Sequence, residues 1–61
     1  MRDYPKNLFA VKFRLDGWLE AEQRVNAETH EDAVYEATQP IGATSAHVTK
    51  LSDGTSKELE I

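Results

Sequence analysis

Few side chains in this chain suit covalent or proton-transfer chemistry: two histidines, His30 and His47, three serines, and eleven carboxylates spread over 61 residues. Nucleophilic catalysis needs a hydroxyl or thiol beside a base that a third group orients. Ser45, Ser52 and Ser56 stand in no such motif, and neither histidine has partners at a spacing that builds a triad or a metal-ligand set. Glu20 and Glu22 fall on one side of an extended segment, as paired acid-base work requires, but any solvated strand carries carboxylates in the same way. Gly17, Gly42 and Gly54 lie in separate turns, so no glycine-rich loop cradles a phosphate. The expectation is a protein that binds rather than catalyses, with no cofactor, no metal and no small-molecule substrate.

Recognition through surface charge is the chemistry that remains. The chain has 11 acidic residues against 7 basic ones, a net charge of −4 that is unevenly spread. Residues 1–14 hold Arg2, Lys6, Lys12 and Arg14 against Asp3, a local charge of +3. Residues 20–36 hold Glu20, Glu22, Glu28, Glu31, Asp32 and Glu36 against Arg24, a local charge of −5. An acidic field repels nucleic acid and suits a basic protein partner or imitation of a DNA path. No cysteine is present, which removes disulfides and thiolate metal sites. The longest apolar run, Leu8 to Val11, is four residues, against roughly 20 for a bilayer span. These features predict one soluble domain over residues 1–61, with residues 1–7 a flexible N-terminal segment and no membrane partner.

The scaffold that positions these charges is written in alternation. Phe9, Val11, Phe13 and Leu15 form one face of a first strand, and Leu8, Ala10, Lys12 and Arg14 the other. In a second strand Leu19, Ala21, Val25 and Ala27 are the apolar set, while Trp18, Glu20, Glu22, Arg24 and Asn26 take the opposite face. Asp16-Gly17 between them signals a hairpin, but a two-residue loop pairs Leu15 with Trp18 and sets core positions opposite solvent positions. A three-residue loop over Leu15-Asp16-Gly17, with Gly17 in the left-handed region as a bulge, restores parity. That register places Trp18 on the open face beside Arg14, in reach of a cation–π stack, and pairs Lys12 with Glu20.

A helix is expected from Thr29 as N-cap, with Glu31 and Asp32 at the positive end of its dipole and His30, Ala33, Val34, Ala37 and Ile41 as the buried stripe. Pro40 and Gly42 end it, and Glu31, Asp32, Tyr35, Glu36 and Gln39 face outward. A third strand follows over Ser45 to Leu51 with Ala46 and Val48 inward. A turn at Ser52-Asp53-Gly54-Thr55 leads to a short fourth strand over Lys57 to Ile61, with Leu59 and Ile61 inward. The fold class is α+β: a two-layer ββαβ(β) sandwich with one short helix on one face of an antiparallel sheet of order 2-1-3, or 2-1-3-4 with the last strand.

The run from Val25 to Leu51 resembles the small inhibitors of bacterial RNA polymerase made early in infection by short-tailed lytic phages. Its Ala27-Glu28-Thr29 entry, the acidic pair Glu31-Asp32 before Ala33, and Val48-Thr49-Lys50 look like that family's strand, helix and final strand, with Phe9-Ala10 matching the first strand. A weaker similarity extends to small phage anti-CRISPR domains of the same topology. The resemblance implies a protein that sits on the jaw of the polymerase largest subunit, in the downstream DNA channel, and blocks open-complex formation with help from the sigma factor. It also implies a binding role for two basic positions on the last matched strand, of which Lys50 fills the first and Ser52 stands at the second. The family's acidic strip falls on Glu28, Glu31 and Asp32.

Together these readings predict a small acidic phage-type inhibitor of a host nucleic-acid machine, RNA polymerase first, working in the bacterial cytoplasm. The partner-binding residues expected are Lys50, Arg14, Trp18, Lys12 and Arg24, and the acidic face is Glu28, Glu31, Asp32, Tyr35 and Glu36. The rival readings are an anti-CRISPR or other anti-defence inhibitor, a nucleic-acid-binding module using Lys12, Arg14, Arg24 and Lys50, and an assembly module that self-associates through an edge strand.

Overall fold

Two-residue alternation over β1 (Leu8–Leu15) organises the whole molecule, whose residues 4–61 are described by a computed structural model. Phe9, Val11 and Phe13 are buried on one face of β1, together with Ala46 and Val48 of β4 (Ser45–Lys50) and Ala33 of α1 (His30–Glu36). The remaining strands are β2 (Trp18–Leu19), β3 (Gln23–Asn26) and β5 (Thr55–Glu60). The result is an α+β fold with one five-stranded antiparallel sheet of order β2-β1-β4-β5, in which β3 pairs with β1 on the β2 side. The most apolar strand lies inside the sheet, and the expected fourth hairpin strand forms as β5.

The hairpin corrects the expected register. Leu15 pairs with Trp18 and Arg14 with Leu19, so the loop is the two residues Asp16 and Gly17. Both have positive φ, 52° and 90°, the type I′ pattern whose twist matches that of the flanking strands. Parity is repaired further along. Glu20 N–H donates to Phe13 O at 2.8 Å, whereas Val11 pairs with Gln23. Between these rungs β1 advances two residues and its partner three, so Ala21 and Glu22 together oppose Lys12 in a β-bulge. Beyond the bulge Phe9 meets Val25, apolar opposite apolar, as the core requires.

Several side chains change place in consequence. Trp18 stands opposite Leu15 on the helix side of the sheet and is 68% exposed, while Leu19 stands opposite Arg14 on the open side. Arg14 and Trp18 therefore sit on opposite faces, and the expected stack between them does not form. Ala21 is exposed rather than core, and Lys12 faces the bulge instead of Glu20.

Thr29 caps the helix as expected, its Oγ1 accepting from Asp32 N–H at 3.0 Å. The helix is shorter than the periodicity predicts and stops at Glu36. A non-local clamp holds the chain there. The Gln23 side chain donates to Thr38 O at 2.7 Å and accepts from Thr38 N–H at 2.8 Å, which fixes the chain just after the last turn to β3. Pro40 to Ala43 then form a turn with Gly42 at φ 90°, leaving Ile41 fully exposed at its tip instead of in the buried stripe. At the other end His30 is buried, edge-on to Phe9 with centroids 5.0 Å apart, and its Nε2 lies 2.9 Å from Thr55 O.

Of the segment 1–7, residues 1–3 lie outside the described residues. Nearer the sheet, Leu8 N–H donates to Pro5 O, Ala27 N–H to Asn7 O, and the Ser52 hydroxyl to Lys6 O. Among the described residues no helix is long and apolar enough to cross a membrane.

Candidate functional site

Two surfaces carry the residues that the sequence singles out. One is the open face of the sheet, which the helix leaves bare. Even positions of β1 and β3 bring Lys12, Arg14 and Arg24 onto it, and odd positions of β4 add Ser45, His47 and Thr49. Pairing with β5 then sets Glu58 directly opposite His47, and Ser56 opposite Thr49.

Glu58 is the hub of this face. One carboxylate oxygen accepts from the Ser45 hydroxyl at 3.0 Å and lies 3.7 Å from Arg14 Nε; the other lies 3.2 Å from His47 Nδ1. The Ser45 and His47 hydrogen bonds, in that order, together with the Arg14 charge, hold the Glu58 carboxyl below its ordinary value. Arg24 is matched in the same way: its Nε is 2.7 Å from Glu22, and its guanidinium lies 5.7 Å from the centre of the Tyr4 ring. A shallow hollow of about 160 Å³ separates the two groups, lined by Ala10, Lys12, Glu22, His47, Thr49 and Leu51. Among the described residues three cations of these strands, Lys12, Arg14 and Arg24, thus face three carboxylates, Glu22, Glu58 and Glu60, and their charges balance. Sequence reasoning missed Ser45, His47 and Glu58 as a group, because their meeting depends on the register of β4 against β5.

The other surface is acidic. Glu28 precedes the N-cap, and Glu31, Asp32, Tyr35 and Glu36 form the outward side of α1, all exposed, with Tyr35 86% exposed. Glu31 and Lys57 approach to 3.9 Å, the one ion pair that this strip makes among the described residues. Of the five residues expected as an acidic face, Glu31, Asp32, Tyr35 and Glu36 lie on the exposed side of α1, and Glu28 is exposed just before its cap.

The expected partner-binding set is divided. Lys12, Arg14 and Arg24 lie on the open face. Lys50, in phase with the buried Ala46 and Val48, lies on the helix side at the end of β4, and Trp18 lies on the helix side at the hairpin end. Lys50 pairs across the sheet with Phe9 and Thr55, and its charge helps hold the Asp53 carboxyl low, after the stronger hydrogen bonds from the Thr55 side chain and backbone.

In comparison with known proteins, the chain matches no family model, no curated protein and no solved structure.

Proposed function

We propose that this domain is a non-enzymatic inhibitor that binds a host nucleic-acid machine, bacterial RNA polymerase first, through the acidic strip of α1. The observation that carries this reading is the grouping of Glu31, Asp32, Tyr35 and Glu36 on the exposed side of α1, preceded by the exposed Glu28, with Lys57 the single cation paired to the helix residues among the described residues. Such a surface presents fixed carboxylates at the margin of a small domain and attracts a basic groove that otherwise holds nucleic acid. The rival nucleic-acid-binding reading has less support. Its four cations are split between two faces, and two of the three on the open face are matched to Glu22 and Glu58.

The test is direct binding to purified bacterial RNA polymerase with and without DNA, alongside capture from bacterial lysate and mass spectrometry. We expect the chain to compete with downstream DNA, and the double variant Asp32→Lys with Glu36→Lys to lose that competition. Recovery of no polymerase subunit would remove polymerase as the target. Recovery of a nucleic-acid-guided defence complex instead would favour the anti-defence reading, which the same acidic strip suits. Unchanged binding of the double variant would remove the strip from the mechanism. A bacterial cytoplasmic site of action belongs to this proposal.

A further inference from the structure

The two edges of the sheet are not alike. On one side the β2–β3 edge is broken by the bulge at Ala21 and Glu22, which twists the strand and interrupts its row of hydrogen-bonding groups. On the other, β5 is six residues long, pairs in unbroken register with β4, and has no strand beyond it among the described residues. Ile61 N–H donates to Thr44 O at 3.2 Å, which fixes the alternation of the ladder. Thr55, Lys57 and Leu59 therefore direct their backbone groups to β4, and the N–H and C=O of Ser56, Glu58 and Glu60 point outward.

Beside this edge lies an apolar groove. The helix is tied at its start to β5 by His30 and Thr55, and just after its end to β3 by Gln23 and Thr38. It consequently crosses the sheet obliquely and leaves the far end of β5 uncovered. The groove that opens there has a volume of about 420 Å³; Val34, Tyr35, Ala37, Leu59 and Ile61 supply its apolar lining, and Glu31, Gln39 and Glu60 also border it. Tyr35 and Ile61, two of the large apolar side chains exposed on this molecule, meet in it, which distinguishes a patch from scattered surface residues.

A second copy is a poor occupant. Two-fold antiparallel pairing that continues the sheet sets each residue opposite one on the same face, so the axis passes through a residue. Centred on Lys57, it opposes Lys57 to its copy; centred on Glu58, it opposes Glu58 to its copy; centred on Leu59, it opposes Glu58 to Glu60. Both registers that overlap five residues of β5, those centred on Lys57 and Glu58, oppose like charges; one centred on Ser56 opposes none but overlaps only Thr55 to Lys57. The same charges define the complement. A strand with a basic residue opposite Glu58 and Glu60 on the open face, and apolar residues between them on the helix side, satisfies the edge and fills the groove.

We propose that β5 and the groove beside it form a strand-addition site for an extended partner segment in which lysine or arginine alternates with apolar residues. This site does not depend on the identity of the machine bound by the acidic strip, and its test leaves Asp32 and Glu36 untouched.

The experiment titrates the isotope-labelled chain with a peptide of about nine residues, a typical strand length, alternating lysine with valine and leucine. A control peptide has glutamate in place of lysine. We expect the amides of Ser56, Glu58 and Glu60 to gain protection from hydrogen exchange and the resonances of Val34 and Leu59 to shift. The glutamate peptide should bind at least ~10-fold more weakly, since two cross-strand pairs change sign. Glu60→Pro removes an outward N–H without touching a bond to β4, and should weaken the lysine peptide by ~10-fold while the β4–β5 amides keep their resonances; Glu60→Gln should weaken it by about 2- to 3-fold. Four results overturn the proposal: equal affinity for the two peptides, perturbation confined to Lys12 and His47 on the open face, no saturation by about 1 mM peptide, or a dimer in which the β5 amides are already protected without peptide.

Discussion

Deletion of Ala21 tests the hairpin register at its one irregular point. Between the Phe13–Glu20 and Val11–Gln23 rungs the outer strand has one residue too many, and removing Ala21 makes both strands advance by two. Trp18 then remains opposite Leu15 and Val25 opposite Phe9, with every side chain on its present face. Ala21 is exposed, so almost no apolar burial is lost. One fewer ordered residue lowers the entropic cost by about 1–2 kcal/mol, and loss of the twist that the bulge provides offsets a similar amount. The net change expected is within about 1 kcal/mol of zero. Deletion of Lys12, by contrast, turns either Phe9 and Val11 or Phe13 toward water. Burial of such side chains stabilises by about 1.5–3 kcal/mol each, against a total of ~3–9 kcal/mol for a domain of this length. Urea unfolding at low protein concentration measures both deletions, and cross-strand proton contacts between Phe9 and Val25 report the register. If the chain lacking Ala21 unfolds, or keeps its fold but loses the Phe9–Val25 contact, the extra residue is not where the bulge places it.

Three further predictions follow from the same geometry. Trp18→Ala should cost less than about 1 kcal/mol in thermal unfolding because the ring is mostly exposed; a loss of several kcal/mol would mean that it covers the core. Gln23→Ala removes both bonds to Thr38 and should cost about 1–2 kcal/mol, with enhanced hydrogen exchange at Thr38 and in the last turn of α1; unchanged exchange there would show that the clamp does not end the helix. Glu58 has a folded pKa below the ordinary 4.5, so its contribution is fully present above that pH and is lost as pH falls through the folded value. Glu58→Gln should therefore lower the Tm at pH 7 and flatten its decline between pH 5 and 3, an outcome that parallel profiles for the two proteins would refute.

Local signals in the sequence carried the elements well, and non-local ones carried their ends poorly. The alternation of Phe9, Val11 and Phe13, the Thr29 cap, and the inward pair Ala46 and Val48 are each legible because one residue and its near neighbours decide them. Parity also states correctly that the hairpin holds one odd residue. It does not say where. Both a bulge at Gly17 and a bulge at Ala21 bring odd positions together, and the intrinsic preference of Asp16-Gly17 for a type I′ turn pushes the irregularity into Glu20-Ala21-Glu22, whose residues favour strands weakly. Trp18 changes face as a direct result. Just past the early end of the helix, Gln23, fifteen residues away, holds Thr38 by two hydrogen bonds, and no helix-end signal in the local sequence encodes that clamp. The acidic face was legible because helical spacing alone groups Glu31, Asp32, Tyr35 and Glu36, whereas the Glu58 hub needs the register of two strands.

The bulge also sets a stoichiometry. A sheet with one regular edge accepts one added strand and cannot template another at its far side, so this domain terminates a growing ladder instead of propagating it. Each domain should take up one strand through β5, and a strand capped by one domain on each of its edges should be the limit of growth at high concentration. Straightening the bulged edge by deletion of Ala21 gives the molecule two regular ends, and light scattering should then detect open-ended growth when a two-edged partner strand is supplied.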